Sequence, residues 1–232
     1  MNEYIKTVPF IGQQYPEEYF LLEANGYHTL NEDGLYKWAS ILQNIKTYKP
    51  NKNYKVLDVG GGYSAVTFFL SKENEVLNID LNRNDNWFST LSDGTISSLK
   101  SEYYNMDNIT FKELNFLTQH DQIPDNYFDI IIDGCSLIHF DPQPLEDIKN
   151  KGLYQSAQII YQKLKPDGIF VASSDLINPN LTETNEWLNP NSYIDCVEKS
   201  GLKLVGDKNF EIPENLINVK NYLTIGKFVF KK

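Results

Sequence analysis

Apolar and polar residues recur with two different periods along this chain, and the periods take turns. After Pro50, short β-branched runs alternate with stripes of helical spacing. "KVLDV" (55–59) reads as a strand, "YSAVTFFLSK" as a helix and "EVLNID" (75–80) as a strand. "GTISSLKSEYY" is a weaker helix and "NITFKELNF" a strand. "YFDIIIDG" is apolar on both faces, as a central parallel strand must be. "LEDIKNKGLYQSAQIIYQKLK" is a helix that turns Leu153, Ile160 and Leu164 inward, and "PDG" stops it before the strand "IFVASS". Such alternation predicts a doubly wound, mostly parallel sheet of seven strands with helices on both faces. The tail breaks the rhythm. "SYIDCVEKSG" is a short helix, but "LKLVGDKNFEI" and "NYLTIGKFVFKK" follow with no helix between them, which predicts an antiparallel C-terminal hairpin at the sheet edge.

Ahead of this core, residues 1–28 are rich in aromatics (Tyr4, Phe10, Tyr15, Tyr19, Phe20, Tyr27) and poor in periodicity. Thr29 and Glu32 have capping-box spacing, and Leu35, Trp38, Ile41, Leu42 and Ile45 share the face of a helix that Pro50 ends. The chain divides into an N-terminal segment, 1–34, which is a candidate lid, and one domain over 35–232.

The chemistry concentrates in "VLDVGGGYSAVTFFL" (56–70). Gly60, Gly62 and Ala65 satisfy G-x-G-x-x-A between a strand and a helix, so the backbone can turn tightly and a nucleotide-bearing ligand can approach without meeting a Cβ. Asp80 ends the next strand, 22 residues beyond Asp58, where a carboxylate can accept both hydroxyl protons of an adenosine ribose. Dinucleotides and S-adenosylmethionine both suit these features. Asp58 separates them. A carboxylate directly before the turn repels a pyrophosphate and attracts a ligand carrying an ammonium and a sulfonium. A dehydrogenase would also need a further substrate domain, and 232 residues are consumed by one sheet.

Composition narrows the partners. At 41% hydrophobic and 22% charged the chain is ordinary globular protein, and its formal net charge of −10 disfavours DNA or RNA as a partner. Cys135 and Cys196 are the only cysteines, so no disulfide framework or metal quartet is expected. No window approaches 18 uninterrupted apolar residues and the N-terminus has no apolar signal core, so no membrane is expected and the location is expected to be cytoplasmic.

In order and spacing, "VLDVGGGYS", "LNID", "ELNFL", "FDIIIDGCSLIHF" and "LKPDGIFVAS" resemble the successive motifs of class I S-adenosylmethionine-dependent methyltransferases, over about residues 35–232. The resemblance implies a Rossmann-like methyltransferase fold, S-adenosyl-L-methionine as cofactor with S-adenosyl-L-homocysteine as product, and a small-molecule acceptor with an O or N nucleophile. Asp58, Gly60, Gly61 and Gly62 inherit cofactor contact, and Asp80, with Leu81 beside it, inherits the ribose. Asn115 stands where the family usually has an acid facing the adenine amine; its carbonyl oxygen can accept one such bond. Phe116 and Leu117 then flank the adenine. Ser64 replaces a frequent third glycine and is a good helix cap.

Asp133 to His139 should border the transferred methyl. His139 is the candidate general base, since its ordinary pKa of about 6.5 suits proton transfer near neutrality; a structural capping role is its other reading. Asp133 is expected to orient the acceptor or the cofactor. Cys135 reads as a small buried residue, His120 as solvated, and His28 as dependent on how the N-terminal segment folds. The segment "DLINPNLTETNEWLNPNSY" is a second candidate lid, and its aromatics would favour an amine or other cationic acceptor. Two other functions fit the turn: an NAD(P)-dependent oxidoreductase, and an S-adenosylmethionine-binding protein that does no chemistry.

Overall fold

The computed structural model describes residues 6–9, 17–24, 32–62, 64–81, 107–140, 151–177, 188–208, 210 and 222–232. Its strands are β1 (Lys6–Pro9), β2 (Lys55–Val59), β3 (Glu75–Asp80), β4 (Ile109–Glu113), β5 (Phe128–Asp133), β6 (Leu164–Ile177), β7 (Lys203–Leu204) and β8 (Tyr222–Lys231). The helices are α1 (Glu17–Ala24), α2 (Glu32–Tyr48), α3 (Ala65–Ser71), α4 (Lys151–Lys163) and α5 (Pro190–Glu198). One sheet holds all eight strands in the order β1-β8-β6-β5-β2-β3-β4, with β7 also on β8. The pairs β3–β4, β2–β3, β2–β5 and β5–β6 are parallel, whereas β8 runs antiparallel to β6 and to β7.

The doubly wound sheet and its antiparallel C-terminal strands therefore match expectation. The eighth strand was not expected. Residues 6–9 pair with β8 in parallel, from Lys6 opposite Tyr222 to Pro9 opposite Ile225, while β7 pairs with the other end of the same strand, Lys203 opposite Lys231. A four-residue strand closed by a proline carries no alternation to read, and at a sheet edge proline costs no ladder bond. β7 is shorter than the expected run because Gly206 turns the chain at φ +93 just after Val205 bonds Val229. β6 is longer than "IFVASS". It starts at Leu164, ahead of "PDG", and runs through that tripeptide, where Asp167 takes φ +64 and the register shifts against β5.

Period-two burial builds two cores. Leu57, Val59, Ile131, Phe170, Ala172, Phe228 and Phe230 face α4 and α5, while Val56, Val76, Ile130, Ile132, Val171 and Val229 face α1, α2 and α3. Leu153, Ile160 and Leu164 are buried as predicted. α2 buries Leu35, Ile41, Leu42 and Ile45, with Trp38 half-buried, and ends at Tyr48 before Pro50. The division drawn between residues 34 and 35 falls within this helix. α1 docks on α2, where Lys46 pairs with Glu18 at 3.2 Å, and leaves Phe20 exposed. Thr29, His28, the helix expected at 94–104 and most of both candidate lids lie outside the described residues. No described helix is long and apolar enough to cross a membrane.

Phe230 lies on the strand that closes the sheet, wholly buried, its ring stacked on Phe170 at 5.9 Å. Phe230→Ala should cost about 3–5 kcal/mol of unfolding free energy, read from urea denaturation. A cost under about 1 kcal/mol would mean that β8 is not held in this core.

Candidate functional site

The carboxyl ends of β2, β3 and β5 lie side by side, and each carries an aspartate: Asp80 and Asp133 are the last residues of β3 and β5, and Asp58 is the last but one of β2. Open parallel sheets bind ligands at this edge, in the crevice where strand order reverses, which here lies between β2 and β5.

The glycine turn follows β2. Gly60 and Gly62 take φ +65 and +47, in the left-handed region that other residues rarely adopt. Gly60 and Gly61 both donate to the Ile79 carbonyl, at 2.9 and 3.2 Å, which ties the turn to β3. There is no room for side chains on one flank. A Cβ on Gly60 would lie 2.3 Å from Ser136 Cβ, and one on Gly61 would lie 2.5 Å from Asp58 Cγ and from Asn78 Nδ2. At Gly62 the nearest atom would be Asp80 Oδ2 at 3.5 Å, so this glycine faces the half-buried ribose candidate. Ser64 caps α3 as expected, its hydroxyl accepting from Val66 N at 3.1 Å.

Beneath the turn, Asp58 is buried and accepts a short hydrogen bond from Thr67 Oγ1. Burial pushes its carboxyl up to about 7; the Asp80 charge adds to this, and the hydroxyls of Thr67 and Ser64 oppose it. Asp133 is wholly buried and also pushed up to about 7 by burial, against the N–H groups of Ser136 and Leu137, which donate to its Oδ1 at 2.7 and 3.2 Å. Its Oδ2 has no partner among the described residues. Ser136 Oγ donates to the Gly60 carbonyl at 2.9 Å, so the loop after β5 is locked to the glycine turn.

The other candidates divide. His139 sits exposed on the short 3-10 turn Leu137–His139, directly after β5. Leu81 is exposed beside Asp80. Phe116 is buried and faces Phe140 at 6.4 Å, with Leu117 half-buried beside it. Asn115 is spent locally: its Oδ1 accepts from Leu117 N at 3.0 Å and Thr118 N at 3.2 Å, so both lone pairs close an Asx turn. Cys135 is buried at φ +87, its thiol pushed up to about 12 by burial, which suits the inert role read for it. His120 is not solvated as expected; it is half-buried, with Nδ1 shielded and without a partner among the described residues.

Several residues escaped the sequence reading. Lys37 on α2 pairs with Asp175 on β6 at 2.8 Å, and Cys135 Sγ lies 3.4 Å from the same carboxylate oxygen. Tyr193 on α5 is wholly buried, stacked on Phe228 at 4.8 Å, with its hydroxyl unpartnered among the described residues and its ionisation pushed well up by burial and by the Asp133 charge. Thr67 and Asn78 were missed too. Their signal was a polar residue at a position where the period requires an apolar one.

No family model matches the chain, and no curated protein is significantly similar to it in sequence. Solved structures are similar. A protein assigned as a sarcosine dimethylglycine methyltransferase from Galdieria sulphuraria superposes with a TM-score of 0.64 at 15% identity, over 93% of this chain and 97% of that one. The 1,6-didemethyltoxoflavin-N1-methyltransferase of Burkholderia thailandensis, solved with its substrate and S-adenosylhomocysteine, gives 0.59 at 14%, over 95% and 91%. The fold is that of the class I methyltransferases. The same methyltransferase fold is matched by the cyclase SpnF, with a TM-score of 0.63 at 13% identity over 98% of both chains, so the scaffold alone does not fix the reaction.

Between about pH 4 and about pH 7, burial makes Asp58 and Asp133 hold protons in the folded chain that they release when unfolded. Because the folded value is the higher one, their contribution to stability is lost as pH rises from about 4 through about 7. The ligand-free protein should therefore melt at a higher temperature near pH 5 than near pH 8, and the Asp58→Asn/Asp133→Asn double variant should narrow that gap. A gap of undiminished size in the double variant would show that these two groups do not carry it.

Proposed function

We propose that the chain transfers a methyl group from S-adenosylmethionine to a small-molecule acceptor with an O or N nucleophile. The observation that carries this reading is Asp58, a buried acid set directly under a glycine turn whose backbone lies open at Gly62 toward Asp80. That donor set fits the cofactor. Its ammonium and sulfonium suit a site where Asp58, Asp80 and Asp133 are gathered, and a pyrophosphate does not. Asp80 accepts the ribose hydroxyls, Gly60 to Gly62 admit the ligand against bare backbone, and Leu81, Phe116 and Leu117 bound the adenine. Asn115 would meet the adenine amine only by opening its own turn, so the backbone of 115–117 is the better candidate for that contact.

When bound, the cofactor supplies an electrophilic methyl on sulfur, and displacement there asks the protein mainly for alignment. In this reading the loop 133–139 borders the transferred methyl. His139 accepts the acceptor's proton in this reading, and Asp133 holds the acceptor or the cofactor through its unpartnered Oδ2. The net charge of −10 supports a small acceptor rather than a nucleic acid. The likeness to a cyclase favours a second reading, in which the same pocket binds the cofactor without transferring its methyl.

Asp80→Ala should weaken S-adenosylhomocysteine binding at least tenfold by calorimetry, since two hydroxyls lose a charged partner worth about 1.5–3 kcal/mol per bond. Unchanged affinity in a folded variant would remove Asp80 from the site. His139→Ala should leave that affinity within a few-fold but slow methyl transfer to an acceptor found by screening by roughly 10²–10⁴. Turnover at the parent's rate would make His139 structural.

A further inference from the structure

Asp58 does not stand alone under the turn. Three side chains from three elements form one directed chain: Asn78 Nδ2 on β3 donates to Thr67 Oγ1 on α3 at 2.9 Å, and Thr67 Oγ1 donates to Asp58 Oδ2 on β2. All three residues are buried. The direction follows from counting protons. A hydroxyl has one, and with one of its two lone pairs accepting from the Asn78 amide that proton is left to point at Asp58. Reversing the amide would make Asn78 an acceptor and take the proton away. The remaining neighbours act the other way, for the charges bearing on Asp58 are those of Asp80 and, across the β2–β5 pair, Asp133, both acidic. Among the described residues, the hydroxyl of Ser64, the N-cap of α3, joins Thr67 in favouring the anion.

We infer that Thr67, aligned by Asn78, is a positioning residue that keeps Asp58 ionised so that it can recognise the ammonium of the cofactor's amino-acid tail. This rests on the cofactor reading above. It assigns a task to two residues that touch no ligand, and it makes recognition of the tail dependent on pH near neutrality while leaving recognition of the nucleoside independent of it. A hydrogen bond to a charged acceptor, worth about 1.5–3 kcal/mol, corresponds to about one to two pH units in the protonation of Asp58.

The test is calorimetry with S-adenosylhomocysteine and with 5′-methylthioadenosine, which shares the nucleoside and lacks the amino-acid tail, between about pH 6 and 8.5. In the parent, S-adenosylhomocysteine should bind more weakly below neutrality and methylthioadenosine should bind equally throughout. Thr67→Val should move the midpoint of the first profile up by about one to two pH units, with affinity recovering toward pH 8.5, and leave methylthioadenosine unchanged. Thr67→Ser should restore the parent profile. Asn78→Ala, which frees the hydroxyl to rotate, should move the midpoint the same way by less, and it carries the test if the valine variant does not fold. An unmoved midpoint, or an equal loss for both ligands at every pH, overturns the inference while leaving the cofactor reading intact. A parent protein that binds neither nucleoside sinks the cofactor reading and the inference together.

Discussion

A charged group buried beneath a backbone turn that admits no side chain is the constraint on which the rest of this molecule depends. Asp58 can sit there only because Gly61 leaves the space that its carboxylate and the Asn78 amide occupy, and the turn can close only because Gly60 leaves room for Ser136. Each glycine thus serves a neighbour from a different strand. The turn is then fixed from two sides, by the Ile79 carbonyl on β3 and by Ser136 in the loop after β5. The geometry of the candidate site is in this sense a property of three adjacent strand ends rather than of one motif, and the parallel register of β3, β2 and β5 is what sets it.

Such a site is held at the expense of stability. Desolvation drives Asp58 and Asp133 toward their neutral forms, and among the described residues the groups opposing it are hydroxyls and backbone N–H groups. Among the described residues, Asp133 Oδ2, Asp175 Oδ1 and the hydroxyl of Tyr193 on α5 are buried without a hydrogen-bond partner. Folds rarely tolerate such atoms without a reason, and a polar ligand that is shared between strand ends supplies one. Lys37 neutralises Asp175 on the α2 side.

The sequence disclosed what repeats and concealed what happens once. β3 was legible to the residue because "EVLNID" is bounded by polar residues and ends in the acid that marks the site. β5 was legible because it is apolar on both faces. β1 was not, because backbone pairing at an edge demands no side-chain pattern, and β7 was overdrawn because a glycine at φ +93 can end a strand that its neighbours would continue. In the candidate site, the strand-end positions of Asp58, Asp80, Gly60 and Gly62 were readable from spacing. For Asn115 the local turn was not read, although "NFLT" contains the donors that bond its side-chain carbonyl. The Asn78–Thr67–Asp58 chain joins residues from three elements, so no local window could contain it.

The central claim is that this turn holds S-adenosylmethionine by its charged tail and its ribose. It is tested most directly by crystallising the protein with S-adenosylhomocysteine and NAD offered together at equal concentration. The account predicts density for S-adenosylhomocysteine, its ammonium against Asp58 and its ribose hydroxyls on Asp80. A pyrophosphate lying across Gly60 to Gly62, or a turn that takes up neither ligand, would contradict it.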